Sequence, residues 1–157
     1  MKRILVIEDD RDNAGVLGMR LKSEGYEVAV AYDAVSGLST VAKFRPDLVL
    51  LDISMPGGGG LLVAERLRNM VSTVTTPIIV ITGTKDPELR SKATAFGAVG
   101  FVEKPYEPRH LLAAITRVLG APAKVATGEP GAPKGRPAAG PGSCASDGRR
   151  PRRLRDK

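Results

Sequence analysis

At 157 residues the chain suits one domain and a tail, and with 4% aromatics and no Trp its core has to come from Val, Leu, Ile and Ala. Its single cysteine, Cys144, excludes an intrachain disulfide, and no apolar run approaches the roughly 20 residues of a membrane span. The net charge of +7 is uneven: residues 1–119 hold 15 basic and 14 acidic side chains, residues 120–157 hold 9 and 3, so a whole-chain argument for nucleic-acid binding fails.

The first apolar run, 4–7, meets Glu8-Asp9-Asp10 too soon to be a secretory leader. Together with the lone cysteine this points to a cytoplasmic protein. Further runs at 28–31, 48–51, 78–81 and, more weakly, 99–102 alternate with stretches of helical period. The first four are nearly continuous in Val, Ile, Leu and Ala, the pattern of parallel strands buried on both faces. Gly25 follows the first helix as a C′ glycine. Asp33 stands where the second helix needs an N-cap, and Ala34, Leu38, Val41 and Ala42 form that helix's apolar stripe. Pro87 suits the first turn of the fourth helix, whose stripe is Leu89, Ala93 and Phe96, and Gly97 follows it. Pro108 opens the fifth, with Leu111, Ile115, Val118 and Leu119 on one face.

The result is (βα)5, a doubly wound α/β fold with a five-stranded parallel sheet of flavodoxin-like strand order 2-1-3-4-5. That order sets the carboxyl ends of the first and third strands side by side, where ligands bind in such sheets. Beyond Leu119 the composition turns to Gly, Ala, Pro, Lys and Arg. Residues 120–157 are expected to be a disordered basic tail, ending in the cluster 149–155, because so little apolar surface cannot offset the entropy of ordering. A second, output domain is accordingly not expected within these residues.

Chemistry is concentrated at the strand ends. Glu8 and Asp9 follow the first strand, and Asp52 ends the third. Two carboxylates about 5 Å apart repel by roughly 3 kcal/mol at an effective dielectric near 20. A divalent cation removes that cost, and Mg²⁺ suits a few carboxylates with phosphate oxygens and water. Thr82 is expected to end the fourth strand and Lys104 the fifth. A hydroxyl and an ammonium facing a metal-bound carboxylate make a phosphate-sized site. His110, in the first turn of the last helix, reads as a solvated surface residue.

Four motifs carry a resemblance: Ile-Leu-Val-Ile-Glu-Asp-Asp (4–10), Leu-Val-Leu-Leu-Asp-Ile-Ser-Met-Pro-Gly (48–57), Ile-Val-Ile-Thr-Gly (79–83) and Phe-Val-Glu-Lys-Pro-Tyr (101–106). In this order and spacing the chain resembles the receiver domain of two-component response regulators, of the stand-alone type, over residues 2 to about 119. The resemblance implies Asp52 as phosphoacceptor and Mg²⁺ as cofactor. Asp9 and Asp52 would hold the metal directly, Glu8 through water, and Ser54 by its backbone carbonyl. It implies Lys104 as the phosphate partner, Thr82 as a phosphate-sensing hydroxyl, Phe101 as an aromatic whose rotamer follows Thr82, and a cis Lys104-Pro105 bond. The donor would be a sensor histidine kinase or phosphotransfer protein, and the target an unknown downstream protein. Nucleic acid would be met only non-specifically, through the tail. Such a module catalyses its own phosphorylation and dephosphorylation rather than turning over as an enzyme.

The sequence departs from the family in places. Glu8 replaces the commoner Asp. In the run Gly57-Gly58-Gly59-Gly60, Gly59 stands where the family often has an acid, so the third helix is expected to lack an N-cap carboxylate worth about 1 kcal/mol. Gly83 beside Thr82 leaves the site open to small phosphodonors and water, which predicts a phosphoryl group that is not long-lived. Two rivals remain on the residues alone. A hydrolase of the haloacid dehalogenase type shares the Asp nucleophile and Mg²⁺ but needs a second Asp two residues on, where Ser54 stands. A receiver-like scaffold without phosphorylation would not need the intact set of acids, Thr82 and Lys104.

Overall fold

The computed structural model describes residues 1–121. The expected tail lies outside the described residues, apart from Gly120 and Ala121. Strand β1 (Arg3–Ile7) leads into helix α1 (Arg11–Ser23), and four more such units follow: β2 (Glu27–Ala31) with α2 (Ala34–Phe44), β3 (Leu48–Asp52) with α3 (Gly59–Asn69), β4 (Ile78–Thr82) with α4 (Pro87–Ala95), and β5 (Ala98–Glu103) with α5 (Pro108–Leu119). A single 3₁₀ turn, Pro56–Gly58, sits between β3 and α3. All four strand pairings are parallel and the order is β2-β1-β3-β4-β5, as the sequence predicts.

The apolar runs of β1, β3 and β4 are buried along both faces. They divide the core into two clusters, one on each side of the sheet. Leu5, Ile7, Val49, Leu51 and Val80 face α2, α3 and α4, while Ile4, Val6, Leu50, Ile79 and Ile81 face α1 and α5. The alternation follows from the period of two along a strand. β2 departs from expectation. Val28, Ala29 and Val30 are only half-buried, because the strand lies at the sheet edge.

Local signals place most helix ends. Asp33 caps α2 by accepting from the Ser36 amide at 2.8 Å, and Asp10 caps α1 by accepting from Asp12 and Asn13. Gly25 and Gly97 both adopt φ +99 just past α1 and α4, a conformation that favours glycine. The stripe of α2 needs a correction. Ala42 is exposed, and Gly37 is buried in its place. The cause is close packing: a Cβ on Gly37 would lie 2.8 Å from Ile7 Cδ1. The helix therefore presses its glycine onto β1 and turns Ala42 outward. The Lys104-Pro105 bond is cis, in agreement with the resemblance.

Candidate functional site

Sheet register assembles the site. Ile7 of β1 pairs with Leu51 of β3, so the next residues along, Glu8 and Asp52, leave the sheet side by side. Asp52 pairs with Ile81, and Thr82 pairs with Glu103, which sets Lys104 at the same edge. One carboxylate oxygen from each of Glu8, Asp9 and Asp52 lies within 4.8 Å of the others. Glu8 and Asp52 are buried, at 6% and 4% exposure, and Asp9 is exposed.

Lys104 Nζ bridges the two buried acids, donating to Glu8 Oε2 at 2.7 Å and to Asp52 Oδ2 at 3.0 Å. The other oxygens are also engaged. The Asp10 amide donates to Glu8 Oε1 at 3.2 Å. The Ser54 amide and hydroxyl both donate to Asp52 Oδ1, at 2.8 and 2.5 Å. Titration follows these contacts. Burial pushes the Glu8 carboxyl up, and its bond to Lys104 only partly counters that. Burial also works against the charged form of Asp52, but the Ser54 hydroxyl and amide, with Glu8 and Lys104, outweigh it and hold the carboxyl below its usual range. Burial opposes the charge on Lys104 too, and the bonds to Glu8 and Asp52 overcome it, leaving the amine raised.

Three carboxylates facing one ammonium leave an excess of negative charge. The donor set is entirely hard oxygen, two of its members are buried, and their oxygens converge. These residues fit Mg²⁺ better than a soft, thiolate-seeking metal. A cleft of about 460 Å³ opens beside them, lined by Asn13, Val16 and Tyr106 as well as Glu8, Asp52 and Lys104.

The structure brings Thr82 to the same edge, fully buried, with its Oγ1 accepting from the Thr84 amide at 3.0 Å. Phe101 is half-buried on β5, and Arg90 of α4 lies over its ring at 4.7 Å while pairing with Glu103 at 3.3 Å. His110 is exposed in the first turn of α5, as read from the sequence. The loop after Asp52 corrects one expectation. The N-cap of α3 is Gly58, in the left-handed region at φ +71, and Gly59 is already helical at φ −58. Two successive left-handed glycines, Gly57 and Gly58, turn the chain, and no side chain caps the helix. The missing cap is therefore at position 58, not 59.

Sequence reasoning used Ser54 only for its carbonyl and missed its hydroxyl. A Ser two residues beyond an acid is a common local hydrogen-bonding pattern, so a signal existed. Arg90 carried none, since an arginine in a helix has many possible neighbours.

The sequence model of the response regulator receiver domain matches residues 4–116. The chain belongs to the response regulator receiver family. The receiver is 34% identical over 119 residues to the response regulator ArlR of Staphylococcus saprophyticus, a match covering 76% of this chain and 53% of that protein. It is 36% identical over 114 residues to the DNA-binding response regulator MtrA of Mycobacterium tuberculosis, covering 73% and 49%. The chain thus spans about half the length of these curated relatives. Among solved structures, the Vibrio cholerae chemotaxis protein CheY4 aligns with a TM-score of 0.71 at 30% identity, covering 75% of this chain and 98% of that one. A CheY-like receiver from Methanospirillum hungatei aligns at 0.70 and 31%, covering 74% and 92%. The family fits the order of strands and the acids at their ends. No helix among the described residues is long and apolar enough to cross a membrane.

Proposed function

We propose that Asp52 is the phosphoacceptor of this receiver and that a histidine kinase or phosphotransfer protein is its donor. The observation that carries the reading is the setting of one carboxylate. Asp52 is buried, held below the usual carboxylate range, paired with Lys104 at 3.0 Å, and gathered with Glu8 and Asp9 within 4.8 Å. A depressed carboxyl stays ionised, so it is available as a nucleophile.

An Asp52 carboxylate oxygen attacks the phosphorus of a phosphohistidine. A P–O bond forms, the P–N bond breaks, and its electron pair stays on the imidazole, which takes a proton from solvent. Lys104 follows the charge: its ammonium already touches the attacking carboxylate and can shift to the transferred oxygens. Bound by Glu8, Asp9, Asp52 and the Ser54 carbonyl, Mg²⁺ would neutralise the negative charge of the transferred group. The Thr82 hydroxyl then donates to an oxygen of the new phosphoryl group, which draws the side chain away from the Thr84 amide whose proton it accepts. That withdrawal opens space beneath Phe101 and shifts the population of the β5 and α4 surface toward a form that binds the downstream protein.

This is a signalling module with self-catalysed phosphorylation and dephosphorylation. It belongs in the cytoplasm, where ATP-dependent kinases operate. Any contact with nucleic acid, a property named for the MtrA relative, is ascribed to the basic residues of 120–157 as non-specific and salt-dependent attraction. The test is a phosphotransfer profile of the full chain against histidine kinases, with wild type beside Asp52→Asn. Label on the wild type that disappears in Asp52→Asn supports the reading. Equal labelling of the two overturns it, and steady turnover of small phosphate esters would point to a hydrolase instead.

A further inference from the structure

The Ser54 hydroxyl enters the reading above only by keeping Asp52 ionised, yet it also occupies one of that carboxylate's oxygens. A carboxylate oxygen offers about two lone pairs. On Asp52 Oδ1 both are taken, by the Ser54 amide at 2.8 Å and the Ser54 hydroxyl at 2.5 Å. Oδ2 accepts from Lys104, and both oxygens of Glu8 are bonded as well. Oδ2 keeps a lone pair but lies 3.0 Å from the Lys104 ammonium, whose charge repels a second cation, so a cation that takes Asp52 at Oδ1 has to displace a Ser54 donor.

The donors differ in how readily they leave. The Ser54 amide is fixed by the main chain. The Lys104 ammonium serves two carboxylates at once, and its side chain is only 25% exposed. The Ser54 side chain is exposed and turns about a single bond. We propose that the Ser54 hydroxyl is a latch on the metal site: it holds Asp52 Oδ1 when no cation is bound and swings away as a divalent cation takes that oxygen. The side chain at position 54 then sets the affinity for Mg²⁺, separately from the carbonyl of the same residue. The inference rests on reading Glu8, Asp9 and Asp52 as cation ligands.

The competing bond is charge-assisted, which makes it a real cost to metal entry. Removing it should tighten Mg²⁺ binding by about tenfold, the low end for a hydrogen bond to a charged group given the exposure of Ser54. Alanine at 54 keeps the amide and its bond, so only the hydroxyl is deleted.

The experiment is a Mg²⁺ titration of the unphosphorylated full chain, followed by amide NMR, for wild type, Ser54→Ala, Ser54→Thr and Asp52→Asn. The latch predicts about tenfold tighter binding in Ser54→Ala, wild-type affinity in Ser54→Thr, and loss of binding in Asp52→Asn. Dispersed amide spectra check that each variant is folded. Unchanged or weaker binding in a folded Ser54→Ala, with Mg²⁺ still bound by the wild type, overturns the latch alone. A wild type with no saturable response to Mg²⁺ overturns the reading of the site and the latch with it.

Discussion

Gly59 and Gly60 are neighbours in the first turn of α3, and alanine should act on them with opposite sign. Gly59 is helical at φ −58 and ψ −34. A Cβ there would meet Ala34 Cβ at 3.6 Å and Met55 Cε at 3.7 Å, ordinary contact distances. Gly59→Ala should therefore stabilise the domain by about 0.5–1 kcal/mol, chiefly by restricting the unfolded chain. Gly60 has no such space. Its Cβ would fall 2.5 Å from the Asp52 carbonyl oxygen, and still closer to Ile53 Cα. Both are backbone atoms, so no side chain can swing aside. Restoring contact to about 3.4 Å would move α3 off the end of β3 by about 0.9 Å, and strain of that kind costs roughly 3 kcal/mol or more. The displaced strand end carries Asp52 itself, so phosphorylation should fall along with stability, on the order of 100-fold for a shift near 1 Å. Urea unfolding followed by far-UV CD, paired with labelling of the folded fraction, measures both effects. A destabilising Gly59→Ala, or a Gly60→Ala that is neutral in stability and labelling, would refute the packing argument.

Three further predictions follow from named contacts. Val41→Ala, at a position 1% exposed, should cost about 2 kcal/mol, while Ala42→Ser should stay within about 0.5 kcal/mol, since Ala42 faces solvent; thermal melts compare them. Arg90→Gln removes an exposed cover from Phe101 and its pair with Glu103, so it should cost about 0.5–1 kcal/mol and sharpen the Phe101 ring signals as the ring gains freedom, read by aromatic NMR. The Ser36 amide holds the Asp33 carboxyl below its ordinary 3.8, so the cap's contribution is complete above that unfolded value and fades as pH falls through the lower folded one. The loss of stability in Asp33→Ala should accordingly shrink on going from pH 7 to pH 3, and an increase would contradict the assignment.

The parts of this protein that could be read from its sequence are those fixed by burial and by position along a strand. Continuous apolar runs mark β1, β3 and β4 because both faces of a central parallel strand are covered, and the residue after such a run has to emerge at one sheet edge. Glu8, Asp52, Thr82 and Lys104 were legible for that reason, before any geometry was known. β2 has a similar apolar composition but is half-buried because it lies at the sheet edge, where the predicted strand order already put it and where composition alone overstated its burial. The stripe of α2 failed for a related cause. Periodicity counts apolar side chains, so it includes Ala42 and passes over Gly37, although it is the missing side chain at 37 that lets the helix approach Ile7.

Other features depend on torsions that spacing does not encode. The left-handed turn at Gly57 and Gly58 moved the cap of α3 by one residue, and a single χ1 rotation decides whether the Ser54 hydroxyl holds Asp52 or faces solvent. Lys104 meets Asp52 as a fixed charge, whereas the Ser54 hydroxyl holds it through a bond that a rotation can break. The Ser54 hydroxyl proton occupies Asp52 Oδ1, the oxygen that the proposed latch yields to a cation. On the proposed reading of the site, the strength of metal binding depends on a residue outside the acid cluster and can be tuned without moving any of the cluster's charges.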